Sequence, residues 1–161
     1  MHSDQIRPAC ESDIPAILDL LVQVDMVHHG IRPDLFNGPA TKYTAEQLKA
    51  VLQDPASPVF VCCGPDGRAL AHIFCQFQQH QGGGVMTDIK TLYIDDLCVD
   101  EKHRGTDRHI ADRLFDYAVD FARKNGCYNV TLNVWAGNDR ALRFYRRQGM
   151  QPQKYGLEII L

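Results

Sequence analysis

The 161-residue sequence has no Cys-x-x-Cys pair and no His-Glu-x-x-His, although it holds six cysteines and seven histidines. Neither a redox motif, nor a disulfide framework, nor a zinc-protease helix is therefore written into it. Most of the thiols sit in apolar runs such as Val59-Phe60-Val61-Cys62-Cys63, where cysteine behaves as a small buried hydrophobe. His28-His29 has no cysteine or carboxylate beside it at ligand spacing, and no metal is expected. There is no basic excess either: Lys and Arg total 17 against 20 Asp and Glu, a net charge of −3 that argues against a nucleic-acid partner. No apolar run reads as long enough for a membrane helix. Met1-His2-Ser3-Asp4-Gln5 has neither the basic start nor the apolar core of an export signal, so a cytoplasmic location without a membrane partner is expected. Repeats are missing too, and Gly82-Gly83-Gly84 reads as a loop tip.

What is present is globular: 45% hydrophobic and 23% charged residues in a length suited to one domain, 1–161. At that size a core forms without metal or disulfide staples. Ile6–Ala9 reads as a first strand. Ser12 then caps a helix with Pro15 in its first turn, and Ile17, Leu20, Leu21, Val24 and Val27 fall on one face. Thr44 and Gln47 form a capping box for a second helix that stops at Asp54-Pro55. Strands are predicted over Val59–Cys63, Ala69–Gln79 (Ala71, Ile73, Cys75 and Phe77 on one face), Lys90–Val99, Val130–Trp135 and Tyr155–Leu161. Helices are predicted over about 107–125, with Gly126 as C′, and from Asn138 or Asp139 to Gly149. The order β-α-α-β-β-β-α-β-α-β describes an α/β (α+β) chain, a mixed sheet with about four flanking helices.

Chemistry concentrates at 92–125, where a strand passes through Arg104-Gly105 into a helix N-terminus. Free backbone N–H groups and the positive end of the helix dipole suit a pyrophosphate there. The segment from Thr131 to Met150 then carries Asn138, Ala141, Phe144-Tyr145 and Gly149-Met150 at gapless spacing. It resembles the N-x-x-A-x-x-F-Y-x-x-x-G-F/M signature of the Gcn5-related N-acetyltransferase (GNAT) superfamily, and the order of elements agrees over nearly the whole chain. The resemblance implies a mostly antiparallel sheet whose fourth and fifth strands splay apart to admit acetyl-CoA. Leu97, Cys98 and Val99 would contact its pantetheine arm through the main chain. The loop Arg104, Gly105, Thr106, Asp107, Arg108, His109, Ile110 and Ala111 would hold its pyrophosphate. Asn138, Ala141 and Phe144 would complete the cofactor side. The helix register fits a two-residue loop extension, which sets His109-Ile110-Ala111 on the family's Gly-x-Gly/Ala step and leaves His109 where glycine is usual.

Tyr145 matches the family's proton donor to the departing thiolate. Asp95 and Asp96, two carboxylates in an otherwise apolar strand, are the candidates for the base, with the ordering of a bulge by one of them as the alternative. Asp95 matches the carboxylate that some polyamine-type relatives use through water. His28, Asp34, Phe36 and Tyr43, with Asn133 and Trp135, occupy the region expected to line the acceptor site. The resemblance thus implies an acetyl-CoA-dependent N-acetyltransferase of a small-molecule primary amine. The alternative is a non-catalytic acyl-CoA-binding or regulatory protein of the same fold. The apolar stretch Tyr155–Leu161 suggests homodimerisation through it or its flanking sheet edge.

Overall fold

Nine regular elements follow one another in a computed structural model that describes residues 4–161. Met1, His2 and Ser3, part of the segment read as carrying no export signal, lie outside the described residues. The elements are β1 (Gln5–Pro8), α1 (Ile14–Ile31), α2 (Ala45–Gln53), β2 (Val59–Cys63), β3 (Ala69–Gln79), β4 (Lys90–Val99), α3 (Ile110–Lys124), β5 (Asn129–Leu132) and α4 (Asp139–Arg147). One sheet runs β1-β2-β3-β4-β5, antiparallel except for the parallel β4–β5 pair.

Local chemistry explains the boundaries. The Gln47 N–H donates to Thr44 Oγ1 (3.2 Å) while the Thr44 N–H donates to Gln47 Oε1 (2.9 Å), the reciprocal box that opens α2. Asp13 precedes α1 and is buried, with the Arg7 guanidinium donating to it at 2.7 and 3.0 Å. Burial pushes the Asp13 carboxyl up, but the Arg7 and Cys10 hydrogen bonds outweigh it and hold the group below its ordinary value. β1 and α1 are thereby stapled together.

The sheet separates two cores. On one face Ile73, Leu92, Leu114 and Ala118 join α3 to the strands, and Ala71, Cys75 and Phe77 share that face as their alternation requires. On the other, Ile17, Leu21 and Leu48 of α1 and α2 pack on Val61 and Phe74. The segment Glu11–Ile31 is long and apolar enough, by length and composition, to cross a membrane, contrary to the sequence reading. Its apolar character comes from one stripe of α1, including Ile17, Leu20 and Leu21, that is core.

β5 ends at Leu132 rather than Trp135, and Tyr155–Leu161 is not a strand. A strand takes its hydrogen bonds from a neighbour, and residues 151–161 lie along no edge of this sheet.

Candidate active site

Two irregularities in β4 shape the site. β4 and β5 pair only from Thr91↔Asn129 to Ile94↔Leu132, so beyond Ile94 the β5 side of β4 has no strand neighbour. Against β3, Phe74 pairs with Asp96 and Cys75 with Ile94, which leaves Asp95 as an extra residue. The bulge reverses the alternation. Leu92 and Ile94 face α3, and so do Leu97 and Val99 after the extra residue. Asp96 and Cys98 turn to the α1 face, where the Cys98 thiol donates to the Leu20 carbonyl at 3.3 Å.

The unpaired end of β4 opens on a cleft of about 460 Å³ between the loop before α3 and the start of α4. Leu97, Cys98, Val99, Arg104, Gly105, Thr106, His109, Ile110, Ala111, Asn138, Ala141, Phe144 and Tyr145 line it; Asp107 and Arg108 do not. Arg108 turns instead to Asp4, donating through Nε at 3.0 Å. Arg104 pins the loop to the strand end, its Nε–H donating to the Val99 carbonyl at 2.7 Å. His103, Arg140 and Arg147 also line the cleft and were not singled out by the sequence.

His109 is the one described non-glycine residue with positive φ (49°), and it sits immediately before α3. It adopts the left-handed conformation that glycine takes without strain. Its ring is 70% exposed, and no side chain caps the helix. The first N–H groups of α3 are therefore left for an anion in the cleft. Asn138 starts α4, its Oδ1 accepting from the Ala141 N–H at 3.3 Å.

Tyr145 packs between Phe115 and Phe144, centroids 6.1 and 5.2 Å away. Burial first, and then the negative charge of Asp96, push its phenol well above the ordinary tyrosine value. Asp96 is in turn held by His72, a residue the sequence reading passed over. The two are 2.5 Å apart, Nε2 to Oδ2, and His72 is fully buried with no partner for Nδ1. With a carboxylate as acceptor, Nε2 carries the proton. Asp95 pairs with the Lys42 ammonium. Burial pulls the Lys42 pKa down, and the Asp95 hydrogen bond overrides it, so the group ends above its ordinary value.

The residues expected to line the acceptor site include aromatic rings in contact with one another. His28 and Phe36 lie 5.1 Å apart, and Phe36 meets Trp135 edge-on at 5.5 Å. Tyr43 stacks on Phe74 at 5.9 Å, and Phe74 meets His72 edge-on at 4.8 Å. Asn133 Nδ2 donates to the Tyr93 hydroxyl at 3.2 Å, bridging the two splayed strands. Asp34 is engaged by Arg32, at 2.7 Å.

The family model for GNAT acetyltransferases matches residues 24–150. No curated protein matches the sequence. Among solved structures, a tetramutant of the BH1408 protein from Bacillus halodurans is 30% identical, with a TM-score of 0.91 over 98% of this chain and 99% of that one. An acetyltransferase from Trypanosoma brucei is 21% identical, TM-score 0.72, over 99% and 100%. Glucosamine-6-phosphate N-acetyltransferase from Arabidopsis thaliana is 19% identical, TM-score 0.72, over 98% of each chain. The last two likenesses speak for the fold.

Proposed function

The chain belongs to the GNAT acetyltransferase family, and from that premise we propose that it transfers an acetyl group from acetyl-CoA to the primary amine of a small, polyamine-like molecule. Direct transfer, with both substrates bound together, is the mechanism this reading takes. One observation carries it. The unpaired end of β4 opens on one cleft with the uncapped start of α3 and with Tyr145, whose phenol lies within reach of the Asp96 charge.

The residues present fit acetyl-CoA. The uncapped first turn of α3 and the cationic Arg140 and Arg147 suit its phosphates, and the unpaired main chain of Leu97–Val99 suits its amide-bearing arm. Bound there, it supplies a thioester carbonyl for an amine to attack. Backbone N–H groups of the unpaired strand end stabilise the oxyanion.

Asp96 is the better base of the two aspartates. Lys42 already holds Asp95, whereas Asp96 is oriented by His72 and is close enough to Tyr145 for its charge to be felt there. In this mechanism Asp96 takes the proton of the acceptor ammonium, directly or through one water. Tyr145 gives its phenolic proton to the departing thiolate and is reprotonated by the second proton that the nitrogen loses as the amide forms. His72 is a positioning residue. Trp135 and Phe36 favour a cationic acceptor through their ring faces.

A side chain in place of the usual glycine at His109 would favour a non-catalytic binder if it closed the loop. His109 takes the backbone angle of the glycine it replaces and keeps its ring in solvent, so the loop retains an open helix start. The test is free-thiol release from acetyl-CoA with alkyl diamines, polyamines, amino sugars and peptides. Turnover with the polycationic amines is expected. Acetyl-CoA that binds but is consumed with none of them would overturn the proposal in favour of a regulatory role.

A further inference from the structure

We infer that Asp4, at the entry to β1, is a positioning residue for the cofactor loop: by holding Arg108 behind the cleft it fixes the first turn of α3 for the phosphates of acetyl-CoA. The inference rests on the acetyl-CoA reading above. Residues 100–109 join β4 to α3, and the start of that helix serves an anion only while the loop before it is held. Arg104 pins the near end of the loop, its Nη2–H donating to Gln23 Oε1 of α1 at 3.4 Å besides its bond to Val99. Thr106 bonds within the loop, its hydroxyl donating to the His103 carbonyl at 3.1 Å. Among the described residues, Arg108 is the one side chain of 105–109 that hydrogen-bonds beyond the loop and α3.

The Asp4 carboxylate is fully buried and takes the Arg108 fork through Nε (3.0 Å) and Nη2. Arg113, in the first turn of α3, closes the group: its Nη1 lies 3.4 Å from Asp4 Oδ2, and its Nη2–H donates to the Asp4 carbonyl at 3.0 Å. The next residue, Gln5, pairs with Cys63, so the sheet itself carries Asp4. Edge strand, loop and helix thus meet at one carboxylate. A two-residue extension makes this loop more costly to hold, and a bidentate guanidinium–carboxylate pair fixes orientation as well as distance.

Charge and geometry pull in opposite directions here. A carboxylate behind an anion site repels the anion, so on charge alone removing it tightens binding. Two guanidiniums already offset that charge, which leaves geometry to decide the sign. Arg108 is not itself a phosphate contact: its side chain is 12% exposed and does not line the cleft. Releasing it leaves about one loop residue to be ordered again when the cofactor binds, a weakening of about tenfold.

The experiment compares wild type, Asp4→Asn, Arg108→Ala and the double variant. Hydrogen exchange across 104–114 in the ligand-free proteins reads the latch directly, at amides such as that of Arg113, which donates to the His109 carbonyl at 3.0 Å. Faster exchange there in both single variants, with β3 and β4 unchanged, is expected. Acetyl-CoA affinity by titration calorimetry should fall about tenfold in each single variant and no further in the double, because the two side chains act as one unit. In Asp4→Asn the KM for acetyl-CoA should rise likewise while kcat stays within about twofold, a split that loss of folded protein would not produce. Asp4→Asn leaves the Arg108 and Arg113 charges together without their carboxylate. Arg108→Ala keeps Asp4 paired with Arg113 and is the milder change, so it decides the matter if the first variant unfolds. Tighter acetyl-CoA binding by Asp4→Asn would overturn the inference in favour of plain charge repulsion. Additive losses in the double variant would overturn it by making Arg108 a direct phosphate contact, and so would unchanged exchange across 104–114. A wild type that takes up no acetyl-CoA would overturn the acetyl-CoA reading and the ligand named here, while the exchange measurement still decides whether Asp4 holds the loop.

Discussion

Replacing Tyr145 by Phe removes one oxygen and leaves the ring against Phe115 and Phe144. The hydroxyl has no hydrogen-bond partner within the described residues, so stability should move by no more than about 0.5 kcal/mol. The effect on rate is another matter. A positioned general acid contributes about 10²–10⁴-fold, or roughly 2.7–5.4 kcal/mol of barrier, and that is the expected fall in kcat. The KM for acetyl-CoA should hardly change, since the ring that packs beside the cleft remains. The pH dependence follows from the direction of the Tyr145 shift. Burial and the Asp96 charge raise its pKa, so the phenol stays protonated through the whole working range. Losing it therefore lowers the rate profile by a constant factor and removes no high-pH limb. The assay is free-thiol release at saturating acetyl-CoA and acceptor, from about pH 6 to 10. A Tyr145→Phe enzyme with near-normal kcat would take Tyr145 out of the mechanism and leave water as the donor. A profile that changes shape instead of height would refute the argument from burial.

Three further outcomes are expected. His109→Gly relieves a left-handed conformation that costs a side-chain-bearing residue about 1 kcal/mol, offset in part by glycine's greater chain entropy. A net gain near 0.5 kcal/mol raises Tm by about 1–2 °C, and an unchanged or lower Tm in scanning calorimetry would show that the position carries no strain. Lys42→Met frees the Asp95 carboxylate; because the exposed pair is worth at most about 1 kcal/mol, the KM for cationic acceptors should fall up to about fivefold, and an unchanged KM would place Asp95 outside the acceptor site. Burial pushes the thiols of Cys62 to about 11 and of Cys75 and Cys98 to about 12. Raised folded values stabilise fully below the unfolded thiol pKa and are lost as pH climbs toward the folded ones. Each thiol should therefore contribute a loss of about 2 kcal/mol by pH 10, read as a falling urea midpoint between pH 8 and 10.

Much of the scaffold is legible in the residues because its signals are local. The Thr44–Gln47 box, the Asn138 cap and the ends of β2, β3 and β4 all depend on neighbours within a few positions. His72 is not legible, since between Ala71 and Ile73 it reads as one more strand residue. Its pairing with Asp96 exists only through a β3–β4 register that the bulge resets. Asp34 looks like a free carboxylate in sequence, and Arg32, two residues away, already engages it. Residues 155–161 show a clear strand alternation, but alternation names a face and supplies no neighbouring edge to hydrogen-bond with, and the segment is not a strand.

The extra residue at Asp95 acts like a shift of frame within a single strand. Upstream, the even-numbered side chains of β4 belong to the α3 core; downstream, the odd-numbered ones do, so both segments serve one hydrophobic layer with opposite numbering. Pairing Asp95 regularly with β3, with no residue removed, would extend the upstream phase and drive Asp96 and Cys98 into apolar packing beneath α3, whereas excising Asp95 would leave both on their present face. A chain of this fold without the insertion must therefore carry its acid at the opposite parity, and an alignment scored on residue identity alone would pair that acid with the wrong aspartate here.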